Sequence, residues 1–482
     1  MWQKALAGRR SNGGRLRSDS RLVVPGDVFV ALGRDDQVRG HIAQALARGA
    51  ASVLVDAAVD SSSDERVHGV PRLAARIGAI ADAYTGQPSS HMRLVGVTGT
   101  NGKTSTVQLL TQSWHGLGMP AASIGTLGAG MYGSLAATSL TTPTLVDMHE
   151  LLADVRAQGA EAVAIELSSH ALMQGRVDAC RFEVAAFTNF TRDHLDYHES
   201  MTAYGEAKQR IFTLPGLTAG VLNLDDDYIA GITLPRGLHR VGVTSSGAPG
   251  AVVRASDIRM RADGADFVLD IDGERLDVRS PLIGRFNVDN LAMSAAIMHA
   301  QGLGFASIAT AIGSLNRVPG RMQVVSTDPD GPLVVVDYAH TPDALRQALD
   351  ALSAREGRLI LVFGCTGDRD RGKRPDMARI AERGADDVVL TDDDVHHEDG
   401  DAIIAEVLEG FDVPGAVRVI RDREAAIRAA VSGARPGDAV LIAGKGHESV
   451  QIVGDDAVAS DDAAIAVAAL GPRANDRSEA GR

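Results

Sequence analysis

The segment Gly99-Thr100-Asn101-Gly102-Lys103-Thr104-Ser105 carries the residues that grip a chain of phosphates. Its glycines free backbone N–H groups to wrap anionic oxygens, and a helix expected over 105–111 adds positive potential at its N-terminus. Lys103 can then reach the terminal phosphates, and the Thr104 hydroxyl can ligate Mg²⁺. The apolar run 94–97 supplies the strand that such a loop follows, although Val97 stands where the strict form has its first glycine. A guanine-specific switch would add an Asn/Thr-Lys-x-Asp element, and no lysine of the chain lies in one.

Lysine is itself informative. Of 48 basic residues only five are lysines: Lys4, Lys103, Lys208, Lys373 and Lys445. Where arginine serves almost every position that needs charge alone, a retained lysine is a candidate for work a guanidinium cannot do. Glu166 closes the apolar run 162–165, at the C-terminal end of a strand, where ligands gather in an open α/β sheet. Glu166 and Thr104 offer the hard oxygens that Mg²⁺ prefers. A second apolar run, 184–187, leads into Thr188-Asn189-Phe190-Thr191-Arg192-Asp193-His194. The histidines there and at His170 are either ligands or ordinary loop residues.

These groups need elements to hold them. At 482 residues the chain has room for about three domains. A small α/β unit is read over 1–90, with strands near 28–32 and 51–55 and a helix over 41–48. A phosphate-binding unit follows over 91–318. A doubly wound unit spans 319–471, with strands at 333–336, 359–363, 387–390 and 439–443 alternating with helices. The polar end, 472–482, is expected to be disordered. The fold class is therefore α/β. Apolar content of 45% fits a globular enzyme, and a net charge of −14 argues against a nucleic-acid surface. No apolar run is long enough to span a membrane. Cys180 and Cys365 fit neither a disulfide framework nor a structural metal site, which points to the cytoplasm.

The combination of GTNGKT, ELSSHAL-QGRV, FTNFTRDHLDYH and Ala207-Lys208 resembles the Mur ligase family, specifically its branch that adds the third residue of the peptidoglycan stem peptide. The likeness runs from about residue 19 to 461. It implies an ATP-dependent amide-bond-forming enzyme with small-molecule substrates, monomeric, with two Mg²⁺ ions. It also implies that CO₂ carbamylates Lys208, which would hold the second Mg²⁺ beside His194. That fits a buried lysine, since only a neutral amine adds CO₂.

By the same resemblance ATP meets Gly99 to Ser105, with Asn287 at the adenine. Arg321, Asp337 and His340 would close over it from the third unit. Ser20 would lie at the uridine-diphosphate end of the substrate, in a first unit whose loop 33–41 is shortened. Thr141, Thr142, Ser168, Gln174 and Arg176 would grip the muramoyl-dipeptide. The incoming amino acid would meet Arg369, Asp393, Asp394, His396, Gly444 and Glu448. Relatives specific for diaminopimelate carry Asp-Asn-Pro-Arg where this chain has Asp393-Asp394-Val395-His396. Losing that arginine and gaining an acid favours a basic third residue such as lysine. Diaminopimelate stays open if protonated His396 replaces the arginine. A folylpolyglutamate-synthetase-like ligase and a non-catalytic homologue are the rival readings.

Overall fold

A computed structural model of the protein describes residues 6, 10, 12–33, 36–58, 64–261, 263–326, 331–353 and 356–471. The tail expected over 472–482 lies outside the described residues.

The first sheet is parallel, in the order Leu16–Arg17, Val28–Ala31, Ser52–Asp56, Val67–Val70. The helix read over 41–48 runs instead from Asp36 to Ala47, so most of the supposed loop 33–41 is helical. Val38, Ile42, Ala45 and Leu46 explain this: their spacing forms one apolar stripe, and it packs on Val53 and Val55 of the sheet.

The second sheet has eleven strands. Its parallel centre runs His239–Thr244, Ala219–Asn223, Val184–Phe187, Arg93–Thr98, Ala162–Glu166, Ala121–Gly125. These strands are apolar along their length because helices cover both faces. The helix Lys103–Gly116 packs against the helix Arg285–Ala300, and Trp114 between them donates 3.1 Å to the Gln301 side chain. A purely alternating α/β reading misses the antiparallel flank Val253–Arg261, Gly264–Ile271, Glu274–Ser280. Its signal is a period of two: Ala265, Phe267, Leu269 and Ile271 are buried and their alternates are not.

The third sheet runs Gln323–Ser326, Leu333–Asp337, Ala439–Ala443, Leu359–Phe363, Asp387–Leu390, Arg418–Val419, with only the first strand antiparallel. Two apolar clusters, one on each face, separate its helices as a doubly wound sheet requires. Among the described residues no helix is long and apolar enough to cross a membrane.

Candidate active site

Strand order assembles the site. Arg93–Thr98 lies between Ala162–Glu166 and Val184–Phe187, so the residues leaving the C-terminal ends of all three converge. Gly99 and Gly102, with φ of +153° and +80°, turn the first of these ends into the phosphate loop. A Cβ on Gly99 would fall on the Thr188 hydroxyl, so glycine is also a packing requirement there. Lys103 Nζ donates to the carbonyls of Gly99 and Thr100 at 2.9 and 2.8 Å. Burial lowers its pKa.

Glu166, fully buried, is the hub. Its Oε2 accepts from the hydroxyls of Thr104 and Thr126, each at 3.0 Å, and its Oε1 accepts from the Thr126 N–H at 2.9 Å. Gly125 makes room for it, since a Cβ there would lie 2.6 Å from the Glu166 carboxyl carbon. Thr104 and Glu166 are hard oxygen donors facing the loop, so the donor chemistry fits Mg²⁺. Among the described residues no group of three His, Cys, Asp or Glu could hold a metal ion on its own.

Lys208 is 1% exposed, and its Nζ donates 2.6 Å to the Gly99 carbonyl. Burial, then repulsion from Lys103, holds its pKa well below the usual lysine value. The Tyr204 ring lies over the amine, 4.6 Å from Nζ to ring centre. His194 sits in a left-handed conformation with φ +53°. Burial depresses its pKa against the attraction of Asp193, whose carboxylate lies 3.4 Å away.

Side chains carried by the third sheet reach this centre. Arg321 Nη2 donates 2.8 Å to the Thr104 hydroxyl while its guanidinium stacks 4.2 Å from the Tyr338 ring centre. His447 Nε2 donates 3.1 Å to the Thr126 carbonyl, and Asn101 Nδ2 donates 3.3 Å to Asp343. Arg192 lies 3.8 Å from Asp370. Burial pushes His340 and His447 each down to about 4.

Between the two units lies a cleft of about 200 Å³, walled by Lys103, Thr104, Glu166, His194, Arg321, Asp337 and His340 among others. A second cavity, about 320 Å³, is lined by Arg369, Lys373, Asp393, Asp394, His396, Gly444 and Glu448. Thr141, Asp193, His194, Tyr338 and His340 line both, so the two spaces meet at a shared wall. A third, lined by Asn101, Gly102, Asp225, Thr244, Phe286, Asp289 and Asn290, opens on the far side of the loop.

The profile described as Mur ligase middle domain matches residues 97–298, and that described as Mur ligase, glutamate ligase domain matches 320–446. The chain belongs to the Mur ligase family. It is 52% identical over 461 residues to a protein of Xanthomonas oryzae pv. oryzae (strain MAFF 311018) named UDP-N-acetylmuramoyl-L-alanyl-D-glutamate--2,6-diaminopimelate ligase, covering 94% of this chain and 93% of the relative. A Chromobacterium violaceum relative of the same name is 45% identical, covering 91% and 90% of the two chains. A solved structure of a ligase of that name has 35% identity and a TM-score of 0.66, covering 95% and 94%. Mycobacterium tuberculosis folylpolyglutamate synthase with ADP shares the fold, at 17% identity and a TM-score of 0.64 over 85% and 95% of the two chains.

The Mur ligase is thus an ATP-dependent, peptide-bond-forming enzyme, and most residues singled out in its sequence fall on the two joined cavities. Seven line none of the described cavities: Ser20, Gly99, Thr142, Gln174, Arg176, Lys208 and Asn287. Asn287 turns inward, its amide donating 2.8 Å to the Ile283 carbonyl and its oxygen accepting 3.2 Å from Asn290; Phe286, Asp289 and Asn290 line the space instead. Thr142 is buried, with its hydroxyl donating 2.7 Å to the Glu166 carbonyl. Ser20 is buried too, donating 2.7 Å to Gln44. Thr141 and Ser168 face the cleft, whereas Arg176 donates 2.7 Å to the Thr142 carbonyl and pairs with Gln174.

The acids of the specificity segment are not free. Lys445 Nζ, fully buried, donates 2.7 Å to Asp394 and 3.0 Å to Glu448, and Asp394 also accepts 2.9 Å from the Ile452 N–H. Asp393 is buried under the fields of Arg423 and Lys445, which outweigh burial and hold its carboxyl down. Lys445 offsets one of the two carboxylates it touches, which weakens the charge argument for a cationic third residue. Sequence reading missed Thr126, Gly125, Tyr204 and His447, and it marked Lys373 only through the scarcity of lysine, without a role.

Proposed function

We propose that this Mur ligase joins 2,6-diaminopimelate to the D-glutamyl carboxylate of UDP-N-acetylmuramoyl-L-alanyl-D-glutamate. The relatives above are named for that reaction, which favours the diaminopimelate alternative over lysine. The sharing of Lys445 by Asp394 and Glu448 weakens the chief objection to it. The observation that carries the reading is the shared wall: the space beside the phosphate loop and the space beside Arg369 have Thr141, Asp193, His194, Tyr338 and His340 in common.

In this reading Lys103 leaves its carbonyl partners for the ATP phosphates, and the loop N–H groups hold the β- and γ-phosphates. The D-glutamyl carboxylate oxygen attacks the γ-phosphorus, the bond to the β-bridging oxygen breaks, and ADP leaves. Arg321, already on Thr104, adds positive charge where the transferring group passes. The amine of the amino acid then attacks the acyl carbon, the C–O bond breaks, and phosphate departs carrying the amine's proton. Arg369 and His396 would hold carboxylates of diaminopimelate. Thr141 and Ser168 would orient the dipeptide. The walls that both units contribute would limit the access of water to the acyl phosphate.

Thr104 and Glu166 would hold Mg²⁺, and a carbamate on Lys208 beside His194 would hold a second ion; bound there, these ions screen the phosphate charge. What this chain supplies is the desolvated amine of Lys208, its pKa lowered by burial and Lys103, and the oxygen set around Glu166. The test is ADP or phosphate release with ATP, Mg²⁺, bicarbonate and the muramoyl-dipeptide, offering diaminopimelate, lysine and ornithine separately. Release with diaminopimelate supports the proposal. Release only with a basic amino acid overturns the substrate, and silence throughout overturns the activity.

A further inference from the structure

Of the four lysines in described residues, Lys103, Lys208 and Lys445 make hydrogen bonds, whereas Lys373 makes none and feels only the longer-range field of Asp193. Its side chain is 93% buried, from a residue exposure of 7%, and it lines the cavity beside Arg369. Among the described residues no hydrogen bond or ion pair holds its ammonium. A mostly buried cation with no hydrogen-bonded or ion-paired counterion, only the field of Asp193 across the cavity, is left able to receive an anion that arrives later.

Its place decides which anion. Lys373 ends the short turn Arg371–Lys373 and caps the eleven-residue helix Arg374–Gly384, whose first N–H groups carry positive potential. Arg374, directly after it, is fully buried and held by Glu398 at 2.7 Å and Glu406 at 2.6 Å, so the backbone here is fixed. The cavity that Lys373 lines also has Asp193 and His340 in its wall, and both belong to the wall shared with the phosphate cleft. Asp193 in turn adjoins His194. Lys373 therefore faces the junction where the phosphoryl group and the incoming amine must meet.

We propose that Lys373 is a catalytic residue that binds the phosphoryl oxygens of the acyl-phosphate intermediate, not the amino acid. This rests on the ligase reading above. The intermediate forms when the carboxylate oxygen–phosphorus bond is made and ADP leaves. It is consumed when the C–N bond forms and the C–O bond breaks, with the phosphate taking the electron pair and the amine's proton. A cation fixed at the junction lowers the energy of the phosphorylated species in both steps, and it needs no rearrangement to do so. Arginine would be wider and more rigid in this narrow junction, which accounts for a lysine retained in an arginine-rich chain.

The test is positional isotope exchange in ATP labelled with ¹⁸O at the β,γ-bridge, in the presence of the muramoyl-dipeptide and the absence of any amino acid. Reversible acyl-phosphate formation scrambles the label without the second substrate. Lys373→Met should slow scrambling about 10²-fold, while the KM for diaminopimelate in full turnover changes less than threefold. Lys373→Arg should recover part of the exchange. Unchanged scrambling in Lys373→Met, with a raised KM for diaminopimelate, would assign the ammonium to the amino acid and overturn the proposal. ADP binding by the variants, read by calorimetry, separates misfolding from lost catalysis. Absence of both scrambling and turnover in the wild-type protein would instead defeat the ligase reading itself.

Discussion

Arg321 Nη2 donates 2.8 Å to the hydroxyl of Thr104, joining a side chain carried by the third sheet to the phosphate loop of the second. The same hydroxyl donates to Glu166, so one oxygen links the guanidinium to the buried Glu166 carboxylate. Arg321→Ala should lower kcat by about 10²- to 10³-fold, the usual effect of removing one preorganised charge donor. Arg321→Lys should recover little, because an ammonium cannot both stack on Tyr338 and reach Thr104. Steady-state kinetics with an ADP-binding control would check this; full activity in Arg321→Ala would remove the residue from the mechanism.

Gly125 packs against the carboxyl group of Glu166. In Gly125→Ala the new methyl group should push that carboxylate off Thr104 and Thr126. The expected result is a folded protein whose turnover falls at least tenfold and whose apparent Mg²⁺ requirement rises. Titrating Mg²⁺ at saturating ATP measures both, and wild-type behaviour would mean that the hub tolerates displacement.

Burial and Lys103 both hold the Lys208 pKa well below the usual lysine value, which favours the neutral amine that adds CO₂. In buffer stripped of CO₂ the wild-type enzyme should lose activity and regain it on adding bicarbonate. Lys208→Ala should be inactive under both conditions. A carbamate signal in ¹³C NMR after adding labelled bicarbonate would be the direct observation, present in the wild type and missing in the variant. Equal activity with and without CO₂ would rule the carbamate out.

His340 and His447 are each pushed down to about 4, with burial the main cause. Unfolded, they titrate near 6.5, so between about 6.5 and 4 the unfolded chain binds more protons than the folded one. Their stabilising contribution is complete above that range and is lost as the pH falls through it. Allowing for partial exposure, the pair should cost about 2 kcal/mol between pH 7 and 5. Urea midpoints at the two pH values test this, and a double change to Gln should flatten the slope.

Asp394 holds both Lys445 and the Ile452 N–H. Asp394→Ala should therefore cost about 1–3 kcal/mol by stranding a buried ammonium and an amide donor. Asp394→Asn should cost less and leave the choice of amino acid unchanged. Chemical denaturation gives the first quantity, and the substrate panel gives the second. A switch from diaminopimelate to lysine in either variant would restore Asp394 to the specificity role that its position in sequence gave it.

The sequence by itself determined the phosphate loop, because glycine spacing, a lysine and a threonine between strand and helix fix local geometry with no distant help. It also determined the parallel strands, whose unbroken apolar runs admit few other structures, and it marked Lys208 by the rarity of lysine. Tertiary structure decided the rest. The contact of Arg321 with Thr104 spans 217 residues, and the pairing of Asp394 with Lys445 spans 51. Whether a carboxylate is a free substrate contact or a spent partner depends on which cation folding brings to it. Asn287 shows the same limit: its position on the helix was readable, but the turn of its side chain inward to Ile283 was settled by packing. Residue types name the chemistry a chain can do, and only long-range contacts decide which of those groups remain free to do it.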